Sequence, residues 1–327
     1  MMGSDNAPIS EIQGIVDFAK VSPDLSNTEF YMIGKEDVIK QHLPSFNLSG
    51  INYKIVNADE VITMHDDPTT SLKTKKNSSI IVGIKMHKDN EIDAFLSAGN
   101  TGAMLSASTL ILGRIKGVSR PTIGTFFPTI EKNPTLILDA GANVDSKSKF
   151  LYEFAVMGSL YFKEMFGVKE PRIGLLNIGE EESKGNEVAL ETFQLLKSSK
   201  LNFVGNVEGR DIFMAKADVI VCDGFTGNIV LKFAESILGF FKKTFKNYAE
   251  KSLVNKIKVG LLAPTIKDVF KDFDYQEHGG VPLLGVNGVI IIGHGSSTGK
   301  AVKNMIKRSI EIISKDLNNK IENELKD

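Results

Sequence analysis

Short apolar runs recur along this 327-residue chain, each stopping at a turn rich in Gly, Asn or Asp and each followed by a helical pattern. Residues 29–33 stop at Gly34, 94–98 open into Gly99, Asn100, Thr101 and Gly102, and 135–138 open into Asp139, Gly141 and Asn143. Residues 173–177 lead into the loop 178–186, 201–204 meet Gly205 and Asn206, and 288–292 meet Gly293, His294 and Gly295. Residues 80–84 (IIVGI) read as one more run of this kind. β-Branched runs alternating with helices predict an α/β fold, a mostly parallel sheet with helices on both faces. Ligands of such sheets sit beyond the carboxyl ends of the strands. The expectation is one crest lined by small polar groups.

The sharpest junction is 217–228 (ADVIVCDGFTGN), where an apolar run meets a two-glycine turn and a helix starts at once. Thr226, Gly227 and Asn228 then stand at a helix N-terminus, whose first N–H groups lack intrahelical partners and whose dipole attracts anions. A phosphate or a developing oxyanion suits such a place. Alone, the pattern equally describes a tight α/β turn.

Three other loops compete for chemistry. In 179–186, Lys184 is either a lysine of a solvated acidic loop or the positive charge beside an anionic substrate, with the neighbouring glutamates positioning it. Asn100 and Thr101 are either a polar cap on a tight turn or part of a binding crest. Asp139 can hold substrate or metal, but a single carboxylate is poor metal evidence, and no metal site is expected. His294 is the best placed of five histidines, although a lone loop histidine is more often structural. The chain has no Gly-x-Ser-x-Gly elbow, no Walker A loop and no Gly-x-Gly-x-x-Gly fingerprint. Direct transfer between bound substrates, with electrostatic help and no covalent nucleophile, fits best, and no cofactor is expected.

A net charge of −1 gives no argument for nucleic acid. The single cysteine, Cys222, excludes an internal disulfide and reads as a small buried residue. With no signal sequence and no membrane-length apolar run, the expected compartment is the cytoplasm. The amino end predicts a turn over 1–8 and a helix over 9–20, with no apolar strand before Gly3.

Residues 235–273 depart from the alternation and read as helices without intervening strands. Phe240, Phe241 and Phe245 belong to a wide apolar face, accompanied by Lys242, Lys243, Lys246 and Lys251. Such a basic amphipathic segment is a core helix, a dimer contact or a surface for acidic partners and anionic lipid.

The segments MGSDNAP, DDPTTSLKTKKNSS, SAGNTGA, RPTIGTFFP, LDAGANVD, LLNIGEEESKGNE, FVGNVEGRD, VIVCDGFTGNIVLK and GHGSS run in order through nearly the whole chain. Together they closely resemble the bacterial phosphate acyltransferase (PlsX) family of fatty acid and phospholipid synthesis proteins. The resemblance implies that inorganic phosphate attacks a long-chain acyl thioester of acyl carrier protein, giving acyl phosphate and a free thiol. The family's active-site lysine and asparagine fall on Lys184 and Asn228. Asp5, Asn6, Asn100, Thr101, Asp139, Asn143, Asn177, Thr226, Gly227 and His294 become candidates for binding substrate or phosphate.

The family's fold implies a two-lobed, three-layer α/β/α homodimer like isocitrate and isopropylmalate dehydrogenases, with residues 1–327 as one catalytic unit. It also implies peripheral membrane association and delivery of product to glycerol-3-phosphate acyltransferase, with 235–273 as a dimer-borne tip touching lipid. Two departures stand out. Family members begin with a strand before the MGxDNAP loop, where this chain begins, and Ser4 stands where the family commonly has glycine. A phosphotransacetylase-like acyl-CoA enzyme and a non-catalytic membrane scaffold are the alternatives.

Overall fold

A computed structural model describes residues 1–22, 25–273, 275–277 and 279–326. The amino-terminal part runs α1 (Ile9–Val21), β1 (Glu29–Gly34), α2 (Glu36–His42), β2 (Asn52–Asn57), α3 (Pro68–Thr74) and α4 (Ser79–Lys88). It continues through β3 (Ala94–Ser97), α5 (Thr101–Ala107), β4 (Thr122–Phe127), β5 (Thr135–Leu138), α6 (Ser148–Phe166), β6 (Ile173–Leu176) and α7 (Glu187–Lys197). Then come β7 (Phe203–Val207), β8 (Val219–Val221), α8 (Gly224–Glu250) and α9 (Leu253–Val269). The chain closes with β9 (Val281–Leu284), β10 (Val289–Ile292), α10 (Gly299–Ser314) and α11 (Leu317–Leu325).

Eight strands form one sheet in the order β3-β10-β9-β4-β5-β8-β6-β7, and β1 pairs β2 in parallel as a separate ribbon. The α/β expectation holds, and most of the apolar runs named from sequence are strands. Residues 80–84 are not: they lie in α4. Ile80, Ile81, Ile84 and Met86 are all buried there, so this helix is apolar on most sides and carries no amphipathic stripe to distinguish it from a buried strand. Strands β2, β4 and β9 were not anticipated. β9 carries Pro282 inside it, and a proline within a short run argues against a strand.

The single-crest expectation also changes. β10 is parallel to β3, but β10–β9, β9–β4 and β4–β5 are each antiparallel, after which β5, β8, β6 and β7 are parallel again. Three reversals leave the two parallel sets running in opposite senses. Their carboxyl ends therefore build two groups of loops, one beyond β3 and β10 and one beyond β5, β8 and β6.

The second group rests on the main core. Tyr161, Phe154, Phe162 and Met157 on α6 are fully buried against Leu136, Leu138, Val219 and Val221. The first group is backed by Ile80, Ile84, Phe95, Met104 and Ile290. α1 lies on α10 through Ile12, Ile15, Val16, Val302 and Ile306.

Helices α8 and α9 differ from the rest. Gly224 and Gly227 are the buried residues of α8, both in its first turn, and α9 has none. Phe240 is 66% exposed, and Leu253, Leu261 and Val269 are exposed as well. A file of rings, Phe241–Phe270–Phe273–Phe213–Phe127, ties this hairpin to the body at centroid spacings of 5.7, 5.9, 5.6 and 6.0 Å. The expectation of helices without intervening strands holds, although α8 begins at Gly224 and passes residue 235 without a break. No helix among the described residues is long and apolar enough to cross a membrane.

Candidate functional site

Beyond β5, β8 and β6 the loops emerge side by side. Leu138 pairs with Val221, and Val221 with Leu175. Asp139, Asp223 and Asn177 thus leave neighbouring strands, whose usual spacing is about 4.8 Å. Residues 139–143, 177–186 and 223–228, widely spaced in sequence, share this end of the sheet.

Asp139 is fully buried. Its Oδ1 accepts from the N–H groups of Ile123, Gly141 and Ala142, and its Oδ2 from the N–H and Nδ2 of Asn143 at 2.6 and 2.9 Å. Burial pushes the carboxyl above the ordinary range, while these donors pull it back down. Asn143 Nδ2 also donates to the Pro121 carbonyl at 2.8 Å. Both residues spend their polar atoms shaping the loop. Cys222 is likewise structural: buried, its Sγ 3.6 Å from the Asp139 carbonyl, its thiol pushed well up by desolvation.

The start of α8 is equally occupied. Asp223 caps it, accepting from the Thr226 N–H at 2.7 Å and the Thr226 hydroxyl at 2.9 Å. The Gly224 N–H donates to the Asn143 carbonyl at 2.8 Å. This helix end therefore already holds a carboxylate of its own. Thr226 and Gly227 build the turn, and the side chain of exposed Asn228, the next residue, makes no such bond among the described residues.

In the third loop Asn177 is also spent: Oδ1 accepts from the Ile178 N–H and Nδ2 donates to the Lys184 carbonyl at 2.9 Å. Gly185 has φ +106°, and a Cβ there would stand 2.7 Å from Asn177 Oδ1, so this turn requires glycine. The sequence expectation that the acidic neighbours position Lys184 is not what forms. Glu180 pairs with Lys216 at 2.5 Å and Glu182 with Lys197 at 2.7 Å. Exposed Lys184 has no ion pair among the described residues.

The loops beyond β3 and β10 gather the remaining candidates. Asn100 is buried and spent, capping α5 through the Ala103 N–H and donating to the carbonyls of Thr63 and Asp66. Asp66 is held down at about 2 by Lys75, 2.6 Å away, and by Thr63. The Asp5 N–H donates to the Gly295 carbonyl at 2.9 Å, joining the amino-terminal loop to the His294 loop. His294 Nδ1 lies 2.8 Å from Ser296 Oγ. Asp5, Asn6 and Thr101 are exposed. The candidates thus fall into two groups, with Asn100 held by Thr63, Asp66 and Ala103 and Asp139 held by residues 141–143 and by Ile123 of β4.

Sequence reading missed Asp223, Asp66, Lys75 and Asn206. Asn206 is buried on β7 and donates from Nδ2 to the Glu181 carbonyl at 2.9 Å. Asp223 was visible as an Asp preceding a helical pattern. Nothing in sequence announces a bond between residues 206 and 181. Among the described residues no three His, Cys, Asp or Glu side chains gather for a metal ion.

The architecture resembles that of phosphotransacylases and of a dehydrogenase of similar fold. The EutD phosphotransacetylase from Staphylococcus aureus superposes with a TM-score of 0.53 at 14% identity, over 94% of this chain and 99% of that one. A 4-hydroxythreonine-4-phosphate dehydrogenase from Klebsiella pneumoniae gives 0.50 at 11% identity, over 94% and 95%. At such identities the likeness concerns the fold alone. The sequence comparisons go further: the fatty acid synthesis protein family matches residues 1–320, and this chain belongs to that family. Phosphate acyltransferases from Dictyoglomus thermophilum and Halothermothrix orenii are 46% and 44% identical, over 98% and 99% of this chain and 94% and 96% of their own lengths. The chain is accordingly an enzyme of the transferase class.

Proposed function

We propose that this enzyme moves a long-chain fatty acyl group from acyl carrier protein to inorganic phosphate, with Lys184 and Asn228 as the catalytic pair and residues 1–327 as one catalytic unit. The observation that carries the reading is what remains open. Among the candidates beyond β5, β8 and β6, the carboxylate of Asp139, the amide nitrogen of Asn143, the amide of Asn177 and the hydroxyl of Thr226 are already bonded within the protein. Lys184 and Asn228 present polar groups to solvent from adjoining loops.

The chemistry follows from that pair. A phosphate oxygen attacks the thioester carbon, the C–S bond breaks, and the carrier leaves as thiolate and takes a proton. Phosphate is already anionic at neutral pH, so no strong general base is required. Lys184 draws phosphate in and balances charge in the transition state. The Asn228 amide donates to the oxygen that becomes negative. Exposed Phe225 and Ile229, flanking that asparagine, offer apolar surface beside the reacting centre.

Incubating the protein with acyl–acyl carrier protein, with and without phosphate, is expected to release free thiol in the phosphate-containing arm alone. Release independent of phosphate would end the proposal. A second arm with short acyl-CoA separates this enzyme from a phosphotransacetylase-like one, which would prefer that donor. Family membership favours catalysis over a scaffold.

In this reading α8 and α9 form the tip of a homodimer that meets the membrane peripherally from the cytoplasm and hands acyl phosphate to glycerol-3-phosphate acyltransferase. The exposed apolar surface of the hairpin supports it, since patches of this kind mark interaction sites. Phe240→Ser is expected to weaken binding to anionic liposomes while sparing thiol release. Binding equal to that of the unaltered protein would remove this ring from the contact.

A further inference from the structure

We propose that Asn206 is a positioning residue for Lys184, its buried side chain locking the turn from which that lysine is presented. The inference rests on the catalytic reading of Lys184 given above. Lys184 is the last residue of a turn whose closing bond runs from its own N–H to the Glu181 carbonyl at 3.1 Å. The same carbonyl oxygen accepts from Asn206 Nδ2 at 2.9 Å. A carbonyl has two lone pairs, and both are thereby used: one closes the turn, the other pins it to β7.

The remaining supports of the loop are of a different kind. The ion pairs Glu180–Lys216 and Glu182–Lys197 join side chains that are 57% and 31%, and 56% and 54%, exposed. Water and salt weaken such pairs. The Asn177 Nδ2 bond to the Lys184 carbonyl ties the loop to its own root. Asn206, 3% exposed, is thus a support coming from a different strand and shielded from solvent.

The other end of the Asn206 amide is a cost to the fold. Its Oδ1 is buried without a hydrogen-bond partner among the described residues. A buried acceptor left unpaired costs free energy that an apolar side chain of similar volume avoids. For the fold alone leucine would serve as well. What leucine cannot do is hold the Glu181 carbonyl, and with it the direction in which Lys184 leaves the loop.

The test is a double-mutant cycle between Asn206→Leu and Lys184→Ala, with thermal melting, steady-state kinetics and hydrogen exchange over residues 178–186. Asn206→Leu is expected to keep its melting temperature, exchange faster in the loop and lose about tenfold in kcat with an unchanged KM for the acyl donor. In the Lys184→Ala background the same change is expected to cost nothing further, because its effect passes through the lysine. Asn206→Ser, too short to reach the Glu181 carbonyl, is a second variant should leucine fail to fold. Full kcat in either folded variant, or an equal loss in both backgrounds, overturns the proposal. Full activity in Lys184→Ala alone instead overturns the catalytic reading on which it rests.

Discussion

Lys184→Ala is expected to lower phosphate-dependent acyl transfer by about 10²–10³-fold, the usual effect of removing one preorganised charge or donor aimed at a developing oxyanion. Its melting temperature is expected to stay where it is. Both halves follow from one arrangement. The lysine is exposed and makes no ion pair among the described residues, so the folded state loses almost nothing with it. Of the loop's three glutamates, Glu180 and Glu182 hold Lys216 and Lys197, and Glu181 makes no ion pair with Lys184 among the described residues. The ammonium is therefore left for a ligand. The kinetic signature should be a fall in kcat with phosphate saturation shifted upward and the KM for acyl donor little changed, because in the proposed mechanism the lysine acts on phosphate and on transition-state charge. Initial rates of thiol release across phosphate concentrations read this directly. A rate within twofold of the unaltered enzyme would take Lys184 out of the mechanism.

The strands that build the site were the most legible part of the chain. β5, β6 and β8 are short β-branched runs bounded by Asp, Asn and Gly, and the loops that follow them are marked in the sequence by those same residues. Two things were hidden. The direction of strands separated by β4 and β9 depends on pairings across the sheet, which no local pattern encodes, so one crest became two groups of loops. The second is whether a polar side chain is open or spent. Asp139, Asn143, Asn177 and Thr226 look in sequence like binding residues because the same chemistry that binds phosphate also caps helices and shapes turns. Only the partners decide, and the partner of Asp139 includes Ile123 from another strand. Residues 80–84 illustrate the same limit for secondary structure: packed against Phe95 and buried on most sides, α4 shows no polar stripe to mark its period.

Gly227→Ala is expected to destabilise the protein by about 1–3 kcal/mol, the range for overfilled sites, and to cost about 10²-fold in turnover, the loss that follows a shift of roughly 1 Å in a reacting group. A Cβ at Gly227 would stand 1.8 Å from the Asp139 carbonyl oxygen and 3.0 Å from Cys222 Sγ. The first of these neighbours is backbone, held in place because the Asp139 N–H donates to the Cys222 carbonyl and five donors surround its carboxylate. The loop cannot yield, so the first turn of α8 must. Asn228 is the next residue on that turn and moves with it. Alanine substitutions at Gly239 in α8 and Gly260 in α9 supply the control, since nothing lies within 4 Å of a Cβ at either position. There alanine is expected to be neutral or to stabilise by about 0.5–1 kcal/mol, because glycine inside a helix gives up more backbone freedom on folding. Thermal melting and thiol-release rates on the three variants separate the outcomes. If Gly227→Ala behaves like Gly239→Ala in both measurements, the close seating of α8 on the Asp139 loop does not set the position of Asn228.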